Sequence, residues 1–143
     1  MMDASILEKA LAMALQAHRG QKDKSGLPYV FHPIRMMLQL TTLEEQTVAL
    51  LHDVLEDSPF TAEDLRKEGF SSVVIEAVKA LTREKDEPYL EYIRRVKQNR
   101  LARVVKLADI KENLNANRLT NLSEKDCQRL ERYLKAREIL LAP

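Results

Sequence analysis

The chain has 143 residues, a length that suits one domain. With 45% hydrophobic and 31% charged residues it has the material for a packed core, which excludes a disordered chain. The 23 Lys and Arg stand against 22 Asp and Glu, so a nucleic-acid binder working through a broad basic surface is also excluded.

Residues 3–18 carry the first helical pattern. Asp3 can cap it, and Ile6, Leu7, Ala10, Leu11, Ala14 and Leu15 recur at helical spacing up to a stop at Gly20. Residues 19–32, RGQKDKSGLPYVFH, lack that periodicity and hold two of the three glycines. Pro33 suits the first turn of a second helix over 33–40. A third helix is expected from about Thr42 to Asp57, closed by Pro59. Thr61 and Asp64 read as a capping box for a short helix that stops at Gly69. The next helix, 71–81, presents Val74, Ala77, Val78 and Leu81 on one face. Pro88 opens another, with Tyr89, Tyr92, Ile93 and Val96 inward, and 100–118 form a longer one. Ser123 caps the last, whose apolar positions are Cys127, Leu130, Leu134 and Leu141. Few Gly, few aromatics and abundant Leu, Ala, Glu, Lys and Arg agree with this. The expectation is an all-α, compact single-domain bundle of about seven or eight helices spanning residues 1–143.

No apolar run approaches the roughly 18 residues of a membrane span. MMDASILEKA has neither the basic n-region nor the cleavage pattern of a signal peptide, and the single Cys127 can form no internal disulfide. A reduced, cytoplasmic setting is expected, with no membrane or nucleic-acid partner.

The segment TVALLHDVLED, 47–57, is apolar nearly all round and therefore expected to be buried on every side, yet His52 and Asp53 sit in its middle. A buried carboxylate must be paired, hydrogen-bonded or metal-bound. One reading is a helix end with a satisfied His and an Asp at a solvent gap. Glu56 and Asp57, four positions after His52 and Asp53, favour another. On a continuing helix all four share a flank, and three carboxylates held together call for a cation. In LARVVKLADIKEN, 101–113, Asp109 continues the stripe of Leu101, Val104, Val105 and Ala108, and Asn113 lies one turn further on. Alone, that too reads as a helix end reaching solvent. His32 precedes Pro33 at the end of the irregular loop, where extended geometry is expected. Two His and two Asp from three segments compose a nitrogen and oxygen set for a borderline divalent ion with positions left for water and substrate. Arg19, Lys22 and Lys24, close to Ser25 and Gly26, form either a solvated surface loop or a loop that meets a phosphate-bearing substrate.

The order His32, His52-Asp53, Asp109 resembles the HD-domain metal-dependent phosphohydrolases. More narrowly, AHRGQKDKSGLPYVFHP (17–33), ALLHDVLEDS (49–58) and VKLADIKEN (105–113) resemble the signature stretches of the RelA/SpoT-type (p)ppGpp hydrolase domain, including its small stand-alone members. The resemblance implies the HD-domain fold and one Mn2+-type ion on His32, His52, Asp53 and Asp109. It implies that Glu56 and Asp57 are the catalytic acid pair, and that Lys22 and Asn113 contact substrate, with Ser25 and Lys24 beside them. The implied reaction removes pyrophosphate from the 3′ position of ppGpp or pppGpp. Gln21, Ile110, Glu112 and Ala116 depart from the family pattern, at positions nearer the substrate than the metal. Two other readings are an HD-type phosphohydrolase for another nucleotide or phosphomonoester, and a non-catalytic nucleotide-sensing module.

Overall fold

The computed structural model describes residues 4–115 and 122–143. Across these residues the chain is helical, and its one extended pairing is an isolated antiparallel bridge between Lys22 and Pro28. The helical segments are α1 (Ala4–Ala17), α2 (Phe31–Leu38), α3 (Leu43–Leu51), α4 (Val54–Asp57), α5 (Ala62–Lys67), α6 (Ser72–Ala80), α7 (Tyr89–Lys97), α8 (Arg100–Asn113) and α9 (Glu124–Leu141). The all-α expectation is met. Asp3 and Ala116 lie outside the described residues, and the helix expected over 100–118 is shorter, ending at Asn113 with Leu114 as its cap.

Capping chemistry sets many of these boundaries. Thr42 with Glu45, Thr61 with Asp64 and Ser123 with Asp126 form reciprocal capping boxes, so each satisfies main-chain donors that a helix start leaves open. Ser71 and Asn99 accept from the N–H groups of Val74 and Ala102. Gly20 and Gly69 close helices with positive φ angles of 81° and 92°, which a side chain would resist.

α3 lies at the centre, packed by α1, α2, α6 and α8, while α9 closes over α7 and α8. Thr47, Val48, Ala49, Leu50 and Leu51 are all fully buried, as a helix apolar on every side requires. Each buried Val or Leu side chain there contributes roughly 1.5–3 kcal/mol of transfer free energy.

The structure corrects the sequence reading in three places. The expected helix 42–57 is two helices, separated by a turn at His52 and Asp53. α2 begins at Phe31, so His32 is inside its first turn and not in the preceding extended loop. Pro33 can follow because the N–H it lacks is one that a helix start leaves unbonded. Finally, α9 turns a different face inward, while α1 packs its expected face, Ile6, Leu7, Ala10, Leu11 and Ala14, with one exception. On α1, Met13 is buried and Leu15 is 48% exposed. On α9 the core contacts are Ala136 and Leu140, flanked by Tyr133 and Ile139, whereas Cys127, Leu134 and Leu141 face outward. Small Ala136 permits close approach to the neighbouring helices, a preference that counting leucines does not reveal.

Candidate active site

The turn at His52 is the local device that builds the site. The imidazole Nδ1 lies 2.7 Å from the Ala49 carbonyl, which can only accept, so Nδ1 carries the proton. That carbonyl is the one a continuing helix would offer to the Asp53 N–H. The chain turns there instead, and Asp53 adopts φ −105°, ψ 3° before α4 begins. With Nδ1 so engaged, Nε2 is the nitrogen left to take a proton or a metal ion, a buried atom with no hydrogen-bond partner. Asp53 Oδ2 approaches it to 3.0 Å without hydrogen-bond geometry.

Two other helices bring the remaining donors. His32 on α2 and Asp109 on α8 meet at 2.7 Å between Nε2 and Oδ1. His32, His52 and Asp109 are all buried, and each offers a ligating atom within 4.8 Å of the others. A nitrogen without a partner, facing carboxylates in a buried pocket, fits a borderline divalent cation. The residues that hold the donors fit too. Lys106 donates to Asp109 Oδ2 at 2.7 Å and Asn113 to Oδ1 at 3.0 Å. The Tyr29 hydroxyl donates to Asp53 Oδ2.

Electrostatics follow this packing. Burial opposes ionisation of Asp109, but Lys106, His32 and His52 outweigh it and hold its carboxyl well below the ordinary range. Burial likewise opposes the Asp53 carboxylate, and His52 outweighs it, giving about 2. Burial disfavours the His52 imidazolium, yet Asp53 and Asp109 raise it to about 9. Lys106 is held above its ordinary value by Asp109, Tyr92 and Tyr89 against the cost of burial.

The acid pair is near this cluster, both residues on α4 just beyond the turn. Glu56 Oε1 accepts the Arg83 N–H at 2.7 Å. The main-chain carbonyl of Asp57 accepts from Gln21 Nε2 at 3.0 Å. Partial burial and Asp53 raise both carboxyls above the ordinary range, although the Arg83 N–H opposes the rise at Glu56. The continuous helix that was to give all four side chains one flank is therefore corrected: Glu56 and Asp57 belong to the separate helix α4.

A pocket of about 470 Å³ opens over Asp53 and Asp109. Lys22, Lys24, Ser25 and Asn113 line it, together with Tyr29 and His32. Asp23 shapes the loop by accepting the N–H groups of Ser25 and Leu27. The sequence reading missed the opposite wall, which is built from Arg83, Tyr89, Arg129, Arg132 and Tyr133. The Arg83 and Arg132 guanidiniums lie 5.5 Å and 5.2 Å from the Tyr89 ring centre. It also missed Lys106, which was legible as a basic residue three positions before Asp109 on one helix face. Nothing local marks the arginines, because a tertiary contact between α9 and the 82–88 loop brings them together. His18, just past the end of α1, packs against Tyr29 with ring centres 4.9 Å apart.

Among the departures from the family pattern, Ile110 is fully buried in the core. Glu112 is buried and accepts from Gln39 at 2.6 Å, with Arg35 at 3.4 Å.

No family profile matches the chain. Individual proteins do. It is 32% identical over 123 residues to a guanosine-3′,5′-bis(diphosphate) 3′-pyrophosphohydrolase of Aquifex aeolicus, covering 78% of this chain and 18% of that protein. It is 37% identical over 116 residues to the protein of the same name in Haemophilus influenzae, covering 71% and 17%. It is 34% identical over 122 residues to the bifunctional (p)ppGpp synthase/hydrolase SpoT of Escherichia coli, covering 76% and 17%. The chain thus spans less than a fifth of the length of these relatives. A solved structure of a metazoan ortholog of SpoT, reported to hydrolyse ppGpp and to play a role in starvation responses, superposes with a TM-score of 0.79 at 27% identity. That match covers 99% of this chain and 89% of the other. Helical architecture, motif order and likeness to these proteins together assign the chain, as a domain, to the HD-type RelA/SpoT hydrolase family.

Proposed function

We propose that this chain is a metal-dependent pyrophosphohydrolase that removes the 3′ pyrophosphate of ppGpp or pppGpp, working as one HD-type domain over residues 1–143. The observation that carries the reading is the His52 tautomer. Its Nε2 is buried without a hydrogen-bond partner, within 4.8 Å of donor atoms on His32 and Asp109, which line a pocket rich in cations. The relatives' names supply the nucleotide.

In this reading His32, His52, Asp53 and Asp109 hold one divalent ion, Mn2+. When bound, the ion supplies Lewis acidity toward water and a phosphoryl oxygen. Lys106 and Asn113 fix the orientation of Asp109, and Tyr29 fixes Asp53. Glu56 takes a proton from the attacking water, while Asp57, next to it on α4, orients water or supplies a proton to the leaving oxygen. Lys22, with Lys24 and Ser25, steadies phosphate charge on one wall, and Arg83, Arg129 and Arg132 do so on the other. The setting is the cytoplasm, where such a nucleotide is found as a free small molecule and a lone cysteine stays reduced.

The test is turnover of ppGpp with Mn2+, set beside GDP, GTP, NADPH and nucleoside monophosphates. Release of pyrophosphate and GDP from ppGpp, with the others turned over at least about tenfold more slowly, is expected. Preferred cleavage of another nucleotide would replace the substrate. Binding of ppGpp without turnover in any metal would make the chain a sensing module.

A further inference from the structure

We propose that the Glu87–Arg95 ion pair is a positioning device for Glu56, acting through the main chain of Arg83. The inference rests on the reading of Glu56 as a proton carrier. Arg95 on α7 holds the Glu87 carboxylate with two parallel bonds, Nε to Oε2 at 2.9 Å and Nη2 to Oε1 at 2.8 Å. The same guanidinium donates to the carbonyls of Ala80 at 3.2 Å and Thr82 at 3.0 Å. It therefore ties both ends of the 82–88 loop to α7. Inside the loop, Glu87 Oε1 also accepts the Glu84 N–H at 3.1 Å, and the Glu87 carbonyl accepts Arg83 Nε at 2.8 Å. Arg83 is thus held by its neighbours on one side and presents its N–H to Glu56 Oε1 on the other.

The energetics favour this role over simple loop support. Glu87 is an acceptor shared between the guanidinium and a loop N–H, so its bonds fix direction as well as distance. Glu56 lies at the end of a four-residue helix, α4, which cannot orient a flexible side chain by itself. One main-chain N–H on Oε1 halves the ways the carboxylate can turn and leaves Oε2 to exchange the proton. Arg83 also leans its guanidinium on Tyr89 at the pocket wall. The loop therefore connects the wall that meets substrate to the group that moves the proton.

Glu87→Gln keeps the size of the side chain and removes the ion pair. In the full chain with excess Mn2+, kcat should fall about ten- to a hundredfold, with KM and metal content unchanged. Arg95→Lys, which keeps the charge and loses the paired bonds, should fall in the same direction and serves if Glu87→Gln does not fold. The deciding measurement is the same substitution in a Glu56→Ala background. If Glu87 acts through Glu56, it should cost less than about twofold there. An equal loss of kcat in both backgrounds overturns the proposal, and so does an unchanged kcat in both single loop variants. If Glu56→Ala itself keeps full rate, the proton-carrier reading falls and takes the proposal with it, an outcome distinct from loss at Glu56 without loss at Glu87.

Discussion

Asp109 at the floor of the pocket has Lys106 on one oxygen and His32 and Asn113 on the other, all buried or partly buried. Arg132 at the opposite wall lies over the Tyr89 ring, and among the described residues no carboxylate comes within ion-pair distance of it, of Arg83 or of Lys22. The floor therefore holds charges that are expensive to bury and survive only by mutual satisfaction. On the walls Lys24 and Arg129 share Asp126, while Lys22, Arg83 and Arg132 have no carboxylate partner among the described residues. Removing a partner from the floor leaves an uncompensated buried charge, whereas removing a wall cation leaves the fold alone and weakens what docks there.

The largest break in that contrast is Asp109→Ala. It should abolish metal retention and turnover together, and the loss of Lys106's partner should cost about 3–5 kcal/mol of stability by denaturant unfolding. Elemental analysis finding tight, stoichiometric metal in the variant would remove Asp109 from the ligand set. At the walls, Lys22→Ala and Arg132→Ala should each weaken substrate binding about ten- to a hundredfold, leaving metal content and melting temperature as they were. Kinetics unchanged on the true substrate would return that residue to the solvated surface.

A smaller effect sharpens the same comparison through pH. In metal-free protein His52 is raised from 6.5 to about 9, since Asp53 and Asp109 overcome the effect of burial. Its contribution to stability is complete below pH 6.5 and is lost as pH rises through about 9. Asp53, lowered from 3.8 to about 2, contributes above pH 3.8 and loses its share as pH falls through about 2. Melting of the chelated protein should therefore be highest between those limits and decline toward pH 9. Saturating Mn2+ should flatten the alkaline decline, because the ion occupies the nitrogen in place of the proton. A chelated protein whose melting temperature is level from pH 6.5 to 9 contradicts the assignment.

The floor was far more legible in the sequence than the walls. His52-Asp53 inside an all-round apolar helix and Asp109 on an inward stripe break a local rule, and residues that break local rules at buried positions mark function. The capping boxes at Thr61 and Ser123 were equally plain, because their partners lie three residues away. The turn between α3 and α4 was not, since the competing donor for the Ala49 carbonyl is a side chain and the apolar run from Val48 to Leu55 still reads as one helix. His32 was misjudged because its place in α2 is fixed from outside, by Asp109, against the local preference of a residue before proline. The walls depend on contacts across the chain: Arg83 and Arg132 are 49 positions apart and have no pattern in common.

The Lys24–Asp126 pair, 2.6 Å long, has a consequence for the order of assembly. It joins residues 102 positions apart, while the donors on the floor span His32 to Asp109. During synthesis the floor can form once α8 has emerged, and the Arg129, Arg132 and Tyr133 part of the far wall comes only with α9. Pairing across so long a separation is slow to find, and a half-exposed ion pair adds little to hold it once found. A chain whose α9 has yet to dock would thus carry the metal-binding residues without the enclosure that selects what reaches them.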